Sequence, residues 1–159
     1  MISLIQYNWE VRDEYIKNFE AVPNEELVKD RKAGIGTILR TFLHIIDVEY
    51  SWIRAIFNKP DIPLDFDKYK DLQSISILSN QLREEIKGYL NHWTYEEADE
   101  KIYPSWMQES YSKEEILKHL IVHEVHHIGQ ISIWARELGV TPASSNFIGR
   151  NLINREKSM

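Results

Sequence analysis

Four of the six histidines fall within one stretch of this chain, Leu117 to Trp134, which reads LKHLIVHEVHHIGQISIW. His119, His123 and His127 are spaced by four, and His126 precedes the last of them. On a helix, residues four apart stack on one face, one turn above the other. Two imidazoles so placed are a common half of a transition-metal site. The same face carries Ile116 and Leu120 before the pair and Ile131 and Trp134 after it. A polar pair inset in an apolar stripe must be satisfied, by an ion or by hydrogen bonds.

A third ligand has to come from another segment, and His44 is the best donor, because it lies in the middle of an amphipathic stretch that should share the core. Three neutral imidazoles suit zinc, nickel, iron or copper and do not suit calcium or magnesium. They leave a coordination position open to water or substrate, as in catalytic sites. Two alternatives stay open. The histidines could be hydrogen-bonded core groups without an ion, or the ion could be structural. His123-Glu124-Val125-His126-His127 also matches H-E-x-x-H, the zinc-protease signature, with Glu124 as base. Its downstream ligand would be Glu137 or Glu156, and neither is well placed. Such proteases also need a sheet edge, and the chain carries no strand signal.

Composition narrows the field. The 159 residues fit one domain over 1–159, and 43% hydrophobic with 11% aromatic content is globular and not disordered. Nineteen Lys and Arg against 25 Asp and Glu give a net charge of −6, with the basic residues scattered, which argues against a nucleic-acid partner. The absence of cysteine removes disulfides, thiolate ligands and a cysteine nucleophile. No apolar run approaches the ~20 residues of a membrane span. The opening MISLIQYNWEVRDE turns acidic too soon for a signal peptide, so a cytoplasmic protein is expected.

The histidines must be positioned by helices. Ile5, Trp9, Ile16 and Phe19 predict a first helix from Ile2 to about Phe19, closed by Val22-Pro23-Asn24. Asn24 is placed to cap one short turn before the basic link KDRKAG. A second helix should start between Gly34 and Thr37 and run to about Phe57 on the stripe Ile35, Ile38, Leu39, Phe42, Ile46, Ile53 and Ile56. The polar connection 58–70 is long for a hairpin and could carry the chain back along the bundle. A third helix spans about Asp71 to His92, and an acidic, aromatic connection through Tyr111 should cover one end. Ser112-Lys113-Glu114-Glu115 is a capping box that opens the fourth helix, which stops at Gly139 with Pro142 beyond. The tail from Thr141 lacks strong periodicity. The expected architecture is all-α, a four-helix bundle with long connections after the second and third helices.

These residues resemble a known family. The run HLIVHEVHHIGQISIW closely resembles the C-terminal signature of DinB/YfiT-like proteins, a His-Glu-x-His-His-x-Gly-Gln run that closes a four-helix bundle. The segment TFLHIIDVEYSWI resembles the family's second-helix motif, here His44, Glu49 and Trp52. The YPSW at Tyr103 to Trp106 is also in register, so the resemblance covers nearly the whole chain. The family shares only a name with the translesion polymerase. The resemblance implies a mononuclear site of His44, His123 and His127 for a divalent transition metal (zinc, nickel or iron), an up-down-down-up bundle and a homodimer. Better-understood relatives are metal-dependent S-transferases that use low-molecular-weight thiols such as bacillithiol or mycothiol. Others look like hydrolases or have no known reaction. One departure is Ile128, where the family often has arginine after the last histidine.

The functional expectation is therefore a metal-binding protein acting on a small molecule, an S-transferase first and a hydrolase or non-catalytic, stress-associated binding protein second. No catalytic residue is assigned. His126 is expected to pack on the neighbouring face, and His119 to act as a surface group, a fourth ligand or a proton shuttle. Glu49 and Glu124 could orient ligating imidazoles, or each could be a solvated helix charge. Gly129, in mid-helix, suggests close packing against another helix or a subunit.

Overall fold

A computed structural model describes residues 1–32 and 34–153. Four long helices carry the fold: α1 (Ile2–Asn18), α3 (Ile38–Ile56), α4 (Leu72–Leu90) and α5 (Lys113–Glu137), with a single turn, α2 (Asn24–Leu27), between the first two. The bounds fall within a few residues of those expected from periodicity. Thr37 caps α3 by accepting from the Arg40 N–H, and Asp71 caps α4 through Ser74. The box at the start of α5 forms as read: the Ser112 hydroxyl accepts from the Glu115 N–H, and Glu115 accepts from the Ser112 N–H at 2.7 Å. Two further free N–H groups of that helix, Lys113 and Glu114, are taken by the carbonyls of Glu100 and Ala98. At the other end Gly139 adopts φ +70°, the left-handed geometry that closes a helix. Asn24 departs from expectation. The side chain of Asn24 does not cap α2 but reaches the Lys70 carbonyl at 3.0 Å.

The core has two clusters. In one, the end of α1 (Tyr15, Phe19), the starts of α3 and α4 (Ile38, Phe42, Leu72, Ile75) and the end of α5 (Ile131, Trp134) meet. In the other, the start of α1 (Ile5, Trp9) meets the ends of α3 and α4 (Ile53, Ile56, Ile86, Leu90) and the start of α5 (Ile116, Leu120). So α1 and α5 run one way and α3 and α4 the other. Two parallel consecutive helices need a long return, and residues 57–71 supply it: Arg54 holds the Pro60 carbonyl, Asp47 accepts from the Leu64 N–H, and Leu64, Phe66 and Tyr69 pack back against the first cluster.

The second long connection covers the other end, as expected, with Ile102 in the core there. It contains a structure that the sequence did not announce. Two strands of two residues, β1 (Lys101–Ile102) and β2 (Tyr111–Ser112), pair antiparallel and project the Tyr103 to Trp106 segment as a hairpin. The aperiodic tail packs on the bundle through its described residues. Arg150 pairs with Glu10 and Glu14, the Tyr7 hydroxyl donates to the Ser145 carbonyl, and Leu152 is buried. Aperiodic sequence here means a strap across α1 and not a loose end. Among the described residues no helix is long and apolar enough to cross a membrane.

Phe42 is fully buried and meets Phe19 edge-on with ring centroids 6.3 Å apart. Phe42→Ala is expected to lower the unfolding free energy by about 3–5 kcal/mol, as for other large-to-small aromatic core changes, read from urea unfolding.

Candidate metal centre

His44 lies in the first half of α3, and His123 and His127 lie one turn apart on α5, so the site forms where these two helices make the most extensive contact in the bundle. One ligand nitrogen from each of the three lies within 4.8 Å of the other two. The Nε2 atoms of His44 and His123 face each other at 3.0 Å. Two nitrogens bound tetrahedrally to one ion at ~2.0–2.1 Å stand about 3.3 Å apart, so the pair is spaced for a common ion. The rings of His44 and His127 are nearly perpendicular, at 86° with centroids 4.9 Å apart. The three residues brought together are the three that the sequence pointed to.

The protonation chemistry suits ligation. Burial, reinforced by the neighbouring histidines, pushes His123 down to about 3. Burial and the proximity of His127 lower His44. Burial lowers His127 too, against the Gln130 hydrogen bond, with His126 adding to the fall. At neutral pH all three are uncharged and offer a lone pair. Gln130 decides which one for His127. The His127 Nδ1–H donates to the Gln130 Oε1 at 2.9 Å, leaving Nε2 as the free nitrogen, and the Gln130 amide donates onward to the His126 Nε2 at 3.1 Å. His126 therefore bonds on the neighbouring face, as expected. Gly34 backs this arrangement: with φ +61°, it lies so close that a Cβ there would stand 2.6 Å from the Gln130 Oε1. Neither Gly34 nor the role of Gln130 was legible in the helical pattern, because one sits in a link and the other acts through a partner on its own helix.

Glu124 and Glu49 do something else than expected. Both are buried, and both turn away from the imidazoles toward Arg12 of α1. Arg12 is 1% exposed. Its Nε and one terminal nitrogen donate to the two oxygens of Glu124, both at 2.7 Å, and that same terminal nitrogen donates to Glu49 at 2.9 Å. The remaining Glu49 oxygen accepts from the Trp9 indole at 2.6 Å, and Ser79 of α4 accepts from Arg12 at 3.3 Å. Burial opposes the Arg12 charge, but the two carboxylates outweigh it and hold the guanidinium protonated. So Glu124 is neither a solvated charge nor a ligand-orienting group. The H-E-x-x-H reading fails for the same reason, since its base is locked inside the bundle. Its downstream ligand fails too: Glu137 is exposed beside Arg31, and Glu156 lies outside the described residues.

His119 stands between the cluster and an apolar cavity. It is exposed, its ring centroid lies 5.5 Å from that of His123 and 6.0 Å from that of Trp52, and among the described residues the ligating group contains the other three and not His119. A Cβ added at Gly129 would meet nothing within 4 Å among the described residues, so no neighbouring helix of this chain requires glycine there.

Residues 1–155 match the DinB family. The chain belongs to that family. A Bacillus subtilis (strain 168) relative, the uncharacterised protein YizA, is 46% identical over 153 residues, 96% of each chain. Among solved structures, a DinB-like protein from Bacillus cereus ATCC 10987 superposes with a TM-score of 0.66 at 19% identity, covering 90% of this chain and 95% of that one. A second DinB-like protein, YjoA from Bacillus subtilis, gives 0.60 at 17% identity, covering 85% and 88%. At such identities these two establish the fold.

Two measurements test the site. Arg12→Met strands two buried carboxylates and is expected to cost about 3–5 kcal/mol in urea unfolding at pH 7. Burial already raises the Glu124 carboxyl against the pull of Arg12, so without that cation it titrates higher still and the deficit should shrink between pH 7 and pH 5. The histidines give the opposite slope. The unfolded chain binds protons near pH 6.5 where the folded chain does not. The metal-free wild type should therefore lose stability as pH falls below about 6.5, continuing toward about 3. Thermal unfolding at pH 7 and pH 5 reads this, with a smaller drop expected in His123→Leu.

Proposed function

We propose that the protein is a metal-dependent enzyme that uses a centre of His44, His123 and His127 to act on a small molecule, transferring a low-molecular-weight thiol to an electrophile. The observation that carries this reading is the three-membered ligand set: three buried or half-buried neutral imidazoles converge, with no fourth protein ligand among the described residues, beside an apolar cavity. A structural site would be closed by a fourth ligand; three leave room for a substrate atom. A divalent zinc, nickel or iron ion held there would act as a Lewis acid, lowering the pKa of a bound thiol or water.

The chain's own residues define the rest. His44 and His123 bring their Nε2 atoms within 3.0 Å of each other, and Gln130 fixes the His127 tautomer that leaves its Nε2 free. Glu124 cannot serve as base because Arg12 occupies both of its oxygens. His119, exposed beside His123, is the side chain placed to receive a proton released at the centre. The reading extends to a homodimer. The outer face of α5 exposes Val122, Val125 and Ile133 around the open Gly129, a face that a second copy could cover.

Protein purified without a histidine tag should carry close to one divalent ion per chain by elemental analysis, and His44→Ala or His123→Ala should retain less than a tenth of it. Metal-loaded wild type should then consume thiol in the presence of an electrophile, with His44→Ala as blank. Ester or amide turnover without thiol would instead indicate a hydrolase. Equal metal content in wild type and both variants would refute the centre, and sedimentation would report the dimer.

A further inference from the structure

We propose that the cavity bounded by Trp52, Met107, Tyr111, Ile116 and His119 is the subsite for the organic body of the substrate, and that it takes a planar aromatic group next to the metal position. The proposal rests on the metal reading above and adds the chemistry of what is bound.

The position of the cavity comes first. His119 lines it and lies ring to ring with His123, so a group in the cavity is one side chain away from the ligand cluster. A larger cavity of about 300 Å³, between α1 and α4, is lined by Asp13, Arg83 and Lys87 and by none of the ligand histidines. Size comes next. The cavity holds about 220 Å³, and ~150 Å³ is enough for benzene in an apolar protein cavity. One substituted ring fits; a large polycyclic body does not.

The lining selects for apolar, aromatic matter. No Lys or Arg lines the cavity, so nothing in it answers a phosphate or carboxylate. Glu115 is its one charged residue, and its Oε2 is committed to the helix cap, accepting from the Ser112 N–H at 2.7 Å and the Ser112 hydroxyl at 2.9 Å, with Lys101 beside it at 3.5 Å. Trp52 already makes edge-on contacts with three rings, at 76° to Trp106, 83° to Tyr111 and 66° to His119. A guest ring continues that packing mode, one of the arrangements aromatic pairs prefer over a face-to-face sandwich. Met107 supplies a flexible thioether that adjusts to the guest.

Exposure points the same way. Trp106 is 42% exposed and Met107 40%, both on the hairpin connection, while Trp52 beneath them is half-buried. Met107, which lines the cavity, leaves water on binding an apolar guest, and Trp106 backs Trp52 from the side away from it. The hairpin that carries them is anchored to the start of α5 by Lys113, whose ammonium pairs with Glu97 and Glu100 at 2.7 Å each. The cap, the hairpin and the cavity are thus one construction at one end of the bundle.

The test uses the full chain loaded with cobalt(II) and three probes with the same metal-binding head: acetohydroxamate, cyclohexanecarbohydroxamate and benzohydroxamate. Cobalt absorption reports coordination, and tryptophan fluorescence reports occupancy beside Trp52. Benzohydroxamate is expected to bind at least tenfold tighter than acetohydroxamate and tighter than the cyclohexyl probe. In Trp52→Ala the affinities for the three probes should converge to within about twofold with cobalt content unchanged. Met107→Lys, on an exposed loop position that the core does not need, should do the same by placing an ammonium at the cavity. Equal affinities in wild type, or a benzohydroxamate preference that survives in both variants, overturns the subsite while the cobalt bands still report the metal centre. A preference for the cyclohexyl probe overturns the aromatic assignment. Cobalt bands unmoved by any probe overturn the metal reading and the subsite together.

Discussion

The most deeply buried cation among the described residues, Arg12, organises this bundle. Arg12 sits in the interior of α1, and the protein meets the cost of burying its charge with carboxylates from two other helices, Glu49 and Glu124, and a hydroxyl from the fourth, Ser79. A lone buried charge is very costly, and a fully bonded one is tolerated. The four helices can satisfy Arg12 only in one mutual register. Sliding α3 or α5 by a turn would strand both the guanidinium and a carboxylate in hydrocarbon. The polar layer also explains why the core has two clusters. Apolar packing fills the bundle above and below Arg12 and is interrupted at its level.

The cluster of His44, His123 and His127 inherits its geometry from that layer. Glu124 follows His123 directly, so fixing Glu124 inward on Arg12 fixes the rotation of α5 about its axis. At 100° per residue, that rotation turns His123 and His127 toward His44. Glu49 does the same for α3, five residues after His44. The carboxylates do contribute to the site, then, but by setting helix rotation and not by touching an imidazole. Gln130 makes the finer adjustment by holding one ring nitrogen of His127.

The same end of α5 that begins with a capping box also links the histidine cluster to the cavity. Ser112 and Glu115 start the helix, Lys113 holds the hairpin connection, and Ile116 and His119 line the cavity one turn later. A local rule of helix initiation therefore places a pocket wall at a fixed distance from the three clustered histidines. The hairpin that completes that wall depends on two bridge pairs, too short to leave an alternating pattern in the sequence.

The sequence by itself determined the four helices, both caps of the last one, and the three histidines that converge. Those are consequences of periodicity, local hydrogen bonding and residue type, all readable within a few turns of chain. Arg12 was legible in principle. It stands among Ile5, Trp9, Ile16 and Phe19 at the spacing of their stripe, as Glu49 does between Ile46 and Ile53 and Glu124 between Leu120 and Ile131. A charge in an apolar stripe announces a buried partner, but one stripe cannot say which partner. Only the tertiary structure decided that Glu124 belongs to Arg12 and not to His123, that His119 faces a cavity, and that the tail straps α1. Each of these depends on which side chains from distant segments reach the same point, and a helix repeat carries no information about its neighbours.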